Sequence, residues 1–182
     1  TKKKTTQGKK EKAIRKKENL MEIKNNSVLL ILFILPAFIL SCNSDRIYSK
    51  MQDLNNASWD QSNKLNFSFT IEDTLQAHNV FFNIRHSSKY RYKNLYLFIE
   101  TTSPEGITVK DTFELVLADD KGRWYGSGWG DIHEVKTPFK QFVRFPNKGT
   151  YTIEVQQAMR TKELNHVTDF GIQIEKAKTP VK

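Results

Sequence analysis

The chain has 182 residues and a formal charge of +9, room for one domain plus extensions given that a single core usually takes roughly 100 to 200 residues. Residues 1–41 hold ten Lys or Arg against Glu11, Glu18 and Glu22, so 42–182 carry only +2; a domain so near neutrality has no electrostatic footprint for a phosphate backbone, which excludes nucleic acid as a partner. Cys42 is the sole cysteine, which excludes an intrachain disulfide and a Cys-based zinc site.

The first element is a leader. Val28 to Leu40 is a run of thirteen apolar or Pro residues, preceded by Lys24 and ending at Ser41-Cys42. A permanent bilayer span needs about 20 apolar residues, so this run, with Pro36 inside it, has the length of a signal-peptide core. Ile39-Leu40-Ser41-Cys42 resembles a lipobox, in which a small residue before the cysteine admits the peptidase and the thiol takes a diacylglyceryl group. Residues 21–41 are therefore read as a lipoprotein signal peptide starting at Met21, with 1–20 an upstream extension outside the mature protein. Cys42 is the expected lipidation site, and the membrane holding its acyl chains is a built-in partner. The expected place is the cell envelope, lipid-anchored and facing the periplasm or the cell surface.

Residues 42–64 are rich in Asn, Ser and Asp, with isolated Ile47, Tyr48, Leu54 and Trp59; they read as a polar tether whose apolar residues dock at the domain edge. From Leu65 the apolar residues follow a period of two, with turn residues at short intervals. Leu65, Phe67, Phe69 and Ile71 make one strand, Val80, Phe82 and Ile84 another, and Leu95, Leu97 and Ile99 a third. Ile107 and Val109 lead through Phe113, Leu115 and Leu117 into the turn Asp119-Asp120-Lys121-Gly122, as one long or bent strand. Phe139 to Phe145, Tyr151 to Gln157 and Asp169 to Glu175 follow, and Gln156 to Leu164 hints at a helical turn. Seven or eight such strands over 65–176, with a tail at 177–182, predict an all-β antiparallel sandwich, in jelly-roll or immunoglobulin-like order.

Chemistry-bearing patterns are sparse. His78, His86, His133 and His166 show no HxH or HExxH spacing and read as surface or turn histidines, so no metal is expected. No nucleophile motif, phosphate loop or dinucleotide fingerprint occurs, and no cofactor, catalytic residue or small-molecule substrate is expected. Asp119-Asp120 and Glu72-Asp73 sit where Asp caps its own turn.

One segment stands out, Arg123 to Ile132, where Trp124, Tyr125 and Trp129 lie among three glycines before Asp131. Exposed, these side chains form a contact surface for a partner chain or a sugar ring; packed inward, they close one end of the sandwich. In the strand from Tyr151, the residues Tyr151, Ile153 and Val155 should face the core. Met159 and Arg160 then fall past its end as a candidate contact pair, because Met adapts its shape and Arg offers planar donors.

The tail carries Arg144-Phe145-Pro146, Lys148-Gly149-Thr150-Tyr151, Gln156-Gln157-Ala158-Met159-Arg160, Asp169-Phe170-Gly171-Ile172 and Glu175-Lys176. Together with the Trp124 to Asp131 segment and the lipobox at Cys42, it resembles the gliding-motility lipoprotein GldH family of Bacteroidetes. Phe170 replaces the aliphatic residue usual after the aspartate. The resemblance implies a non-enzymatic, lipid-anchored envelope component of gliding motility and the associated secretion system, acting through protein contacts. The alternative from another class is a carbohydrate-binding envelope lipoprotein using Trp124, Tyr125 and Trp129 as a stacking platform, with a hydrolase third.

Overall fold

The computed structural model describes residues 45–178; the leader and Cys42 lie outside the described residues. In chain order the strands are β1 (Arg46–Asp53), β2 (Ser58–Asp60), β3 (Leu65–Ile71), β4 (His78–Ser87), β5 (Asn94–Thr102), β6 (Thr108–Val116), β7 (Ser127–Trp129), β8 (Ile132–Val143), β9 (Gly149–Gln157), β10 (Glu163–Asn165) and β11 (Val167–Lys176). Strict alternation in the sequence becomes strict alternation of burial: β3 is buried at every odd-numbered residue and exposed between, as a pleated strand with one wet face requires.

All pairings are antiparallel. One sheet has the order β1-β11-β4-β8-β7, the other β3-β9-β5-β6, and a small ribbon joins β10 to β2. Counting only the eight long strands, the two large sheets read 1-8-3-6 and 2-7-4-5. This is the order of a jelly roll, two Greek keys wound together, and it settles the choice between the two expected topologies.

The sheets pack face to face through aromatic side chains. Phe82 on β4 stacks on Phe139 of β8 at 4.5 Å, and its edge meets Phe113 of the facing sheet at 5.7 Å. Phe170 on β11 touches Phe67 on β3 and Trp59 on β2. Tyr151, Ile153 and Val155 are buried in β9, as the period-two reading expects.

The expected tether is corrected. Residues 46–60 belong to the fold: β1 lies on the edge of the five-stranded sheet, and Leu54 and Trp59 are buried. A Cβ added at Gly171 of β11 would run into Met51 Sδ and the Lys50 carbonyl, so the glycine is what lets β1 seat closely. Polar composition concealed the strand because it is an edge strand with little buried surface. At the other end Ala177, expected in the tail, is buried and donates its N–H to Ala77 O at 2.8 Å.

Two further expectations change. Strand β8 begins at Ile132, seven residues before the expected Phe139; its start carries no clear alternation because His133 and Thr137 occupy inward positions. No helix forms over Gln156 to Leu164; β9 runs to Gln157 and a bend leads into β10. Gln157 is buried and its amide Nε2 donates to Thr161 O at 3.0 Å, which shapes that bend.

Candidate functional site: the aromatic hairpin and its pole

The Gly-rich segment is a hairpin at one pole of the sandwich. Leading into it, Asp119 closes the preceding turn on itself. Its carboxylate accepts from the Lys121 and Arg123 backbone N–H groups, both at 2.9 Å, and from Arg123 Nε at 2.7 Å. These bonds, the Arg123 backbone first, hold its carboxyl below the usual range. The expected capping role of this aspartate is what the turn uses. Trp124 then bridges back to Ala118, and Tyr125 N–H donates to Leu117 O at 2.8 Å.

Strand β7 pairs with the start of β8, Trp129 opposite Ile132, across the two-residue turn Gly130-Asp131. Gly130 has φ +68, as the first position of a type II′ hairpin turn needs. Side chains at Gly126 and Gly128 would collide with the carbonyls of Glu134 and Ile132, so both glycines serve close backbone approach. The tip is pinned from outside: Ser88 N–H donates to Asp131 O at 2.7 Å, and Ser88 Oγ lies 2.9 Å from His133 Nε2.

The aromatics divide in two. Trp124 is partly buried, its edge against His86 at 4.6 Å, with His133 and Tyr90 beside it. Trp129 is 96% exposed and Tyr125 is exposed too. The inward and outward readings of the segment are thus both realised, by different residues. A stacking platform of Trp124, Tyr125 and Trp129 together is not formed, because Trp124 is committed to the cluster beneath.

That cluster was not legible in the sequence. His86 is fully buried, against the expectation of a surface or turn histidine, and so is His78. Burial is the first cause holding the His86 imidazole below its ordinary value of 6.5; the Ser87 carbonyl, 3.1 Å from Nδ1, opposes it, and His133 adds to it. Only the β4–β8 register, which sets His86 opposite His133, brings the two together. Tyr90, also buried, donates its hydroxyl to Asn94 O at 2.9 Å, and burial pushes its phenol up. Among the described residues no three His, Cys, Asp or Glu side chains converge as a metal site would need.

Asp131 has an exposed side chain at the hairpin tip, while its carbonyl is structural. Arg160 is exposed in the loop after β9, at the same pole. Met159 is corrected: it is buried, its Sδ 3.4 Å from the Tyr96 N–H, and it plugs the end of the core instead of offering a contact. A soft thioether filling an irregular gap is a role the sequence cannot distinguish from an adaptable surface.

Comparison with known proteins places this fold. A family model described as GldH lipoprotein matches residues 46–174. The chain is 34% identical over 158 residues, 83% of its own length and 96% of the relative's, to a gliding motility lipoprotein GldH homolog of Christiangramia forsetii. It is 32% identical over 162 residues, 85% of its length and 98% of the relative's, to the gliding motility lipoprotein GldH of Flavobacterium johnsoniae. Among solved structures, the Yersinia pseudotuberculosis-derived mitogen is similar at a TM-score of 0.33 and 4% identity, over 74% of this chain and 91% of that one; a likeness that slight says nothing of function. The match across nearly all of the jelly roll, hairpin and bend included, makes this chain a member of the GldH family of gliding-motility lipoproteins, lipid-anchored in the cell envelope.

Proposed function

We propose that the protein is a non-enzymatic accessory of the gliding motility and associated secretion machinery, held by lipid on Cys42 and acting through protein contacts at the hairpin pole. The observation that carries this reading is Trp129, 96% exposed on a hairpin whose backbone is held by its pairing with β8 and by Ser88. A large aromatic held in water on a paired backbone leaves only its own rotamers to be ordered on association, and its area is that of an interface anchor. Tyr125, Asp131 and Arg160 are exposed at the same pole and offer donors, acceptors and both charges. No catalytic step is assigned to any residue.

Two experiments test the parts separately. A photo-crosslinking residue placed at Tyr125 or Asp131 in cells should capture proteins of the gliding or secretion apparatus; adducts with glycan alone would favour the carbohydrate reading instead. For the anchor, Cys42→Ala is expected to abolish lipid labelling and release the chain from membranes, since acyl chains would supply nearly all of its membrane affinity. A variant still anchored after normal cleavage by another peptidase contradicts the assignment of Cys42.

A further inference from the structure

The pole opposite the hairpin has its own surface chemistry. It carries the start of β1, the end of β11, and the three loops 72–77, 103–107 and 144–148 that join β3 to β4, β5 to β6 and β8 to β9. The ends are tied together: Lys176 N–H donates to Asp45 O at 2.7 Å, and the Lys178 ammonium sits 2.7 Å from the Asp45 carboxylate. The ten-residue β4 runs from this pole to the other, roughly 30 Å of pleated strand.

Three large apolar side chains project here. Leu75 is 82% exposed, Ile107 62% and Phe142 54%. Each sits on backbone whose own N–H is held by a side chain. The Asp73 carboxylate accepts the Leu75 N–H at 2.9 Å, and Ser103 Oγ accepts the Ile107 N–H at 3.2 Å. Phe142 is held in the left-handed region at φ 53, its N–H donated to Asn79 Oδ1 at 3.0 Å. A bulky residue in that region is strained, and here the strain belongs to a bulge that turns an aromatic ring to the outside. Ile107 and Val109 continue the inward-facing row of β6 past the point where the facing sheet covers it. They leave an apolar cleft of about 360 Å³ floored by Val80, Phe145, Tyr151 and Ile153.

Connectivity says what lies near this pole. Only Asn43, Ser44 and Asp45 separate Cys42 from the first residue of β1, a reach of at most about 14 Å when fully extended. With the expected tether folded into the sandwich, these three residues are the only slack by which the lipid could hold the domain at a distance. We propose that this pole rests against the bilayer that holds the acyl chains, with Leu75, Ile107 and Phe142 entering the headgroup region and the Trp129 hairpin projecting away from the membrane. The proposal rests on lipidation of Cys42. Arg144 and Lys148 on this pole are offset by Glu72, Asp73 and Glu105, so apolar insertion carries the contact and anionic lipid adds little.

The test uses the processed, lipidated protein reconstituted into phosphatidylethanolamine–phosphatidylglycerol vesicles, with acylation of Cys42 first established by mass spectrometry. Acylation leaves no other thiol, so Leu75→Cys, Ile107→Cys and, at the far pole, Lys121→Cys can each take a single environment-sensitive fluorophore. Labels at 75 and 107 are expected to be quenched several-fold more by doxyl lipid than the label at 121, to be shielded from iodide, and to keep both properties in high salt. Equal access of iodide to all three positions would overturn the docking. Shielding at 75 and 107 without lipid quenching would overturn it as well, because a second protein chain would then be the cover. An unmodified Cys42 removes the anchor and this inference together, whereas acylated protein with wet labels removes only the inference.

Discussion

His86 and His133 face each other across the β4–β8 ladder, their rings 5.5 Å apart and 27° from parallel, with Trp124 set against both. The pair forms the base on which the exposed hairpin stands. His86 Nε2 is buried with no hydrogen-bond partner among the described residues, so a charge on this ring would have neither water nor a counter-ion to meet it.

The first prediction is a pH dependence. Desolvation depresses the folded-state value of His86, and also of His78, below the ordinary 6.5. Below about pH 6.5 the unfolded chain takes up protons that the folded chain refuses, so the unfolded state is favoured as acidity rises. Stability is therefore expected to be flat above pH 7 and to fall as pH drops through 6.5 towards the folded values, by at most about 1.4 kcal/mol per pH unit for each histidine. Denaturant midpoints measured for the parent and for His86→Gln should show a shallower acid slope in the variant. Identical slopes would remove His86 from the account.

Trp124→Ala is expected to destabilise the domain by roughly 2–4 kcal/mol, since it opens a void over His86 and Tyr90. Thermal unfolding reads the loss directly. A shift no larger than that of an ordinary surface substitution would place Trp124 with Trp129 as a contact residue.

Trp59 tests whether the polar N-terminal stretch is part of the fold. It is fully buried, tilted against Phe170 at 5.1 Å, and its indole N–H donates to Asn63 O at 2.9 Å. Trp59→Ala should cost about 3–5 kcal/mol, in the range of a core aromatic. A tether residue would cost next to nothing, and a change within experimental error in the unfolding midpoint would restore the tether.

Legibility in the sequence followed burial on one face. β3, β5 and β9 each bury one row and wet the other, and their alternation could be read residue by residue. β1 is an edge strand whose residues are exposed or half-buried in no strict alternation, so its pattern carried little signal and composition alone suggested a tether. The start of β8 was hidden because its inward row holds His133 and Thr137. Trp124, Tyr125 and Trp129 were visible as a group, yet which of them turns inward depends on the buried histidine pair, whose members lie on separate strands. Met159 shows the converse error, a residue chosen for adaptable chemistry that the fold uses as filler.

The central claim is that Trp129 contributes contact and not stability. It is tested most directly by pairing thermal unfolding of the purified variant with colony spreading of a deletion strain complemented by Trp129→Ala. Ile153→Asp, which puts an unpaired carboxylate at a buried β9 position, is the unfolded control, expected not to accumulate. The account predicts a Trp129→Ala midpoint within about 1 °C of the parent, as for a surface change well under 0.5 kcal/mol, normal accumulation, and impaired spreading. Normal spreading, or unfolding as severe as that of Ile153→Asp, would contradict it.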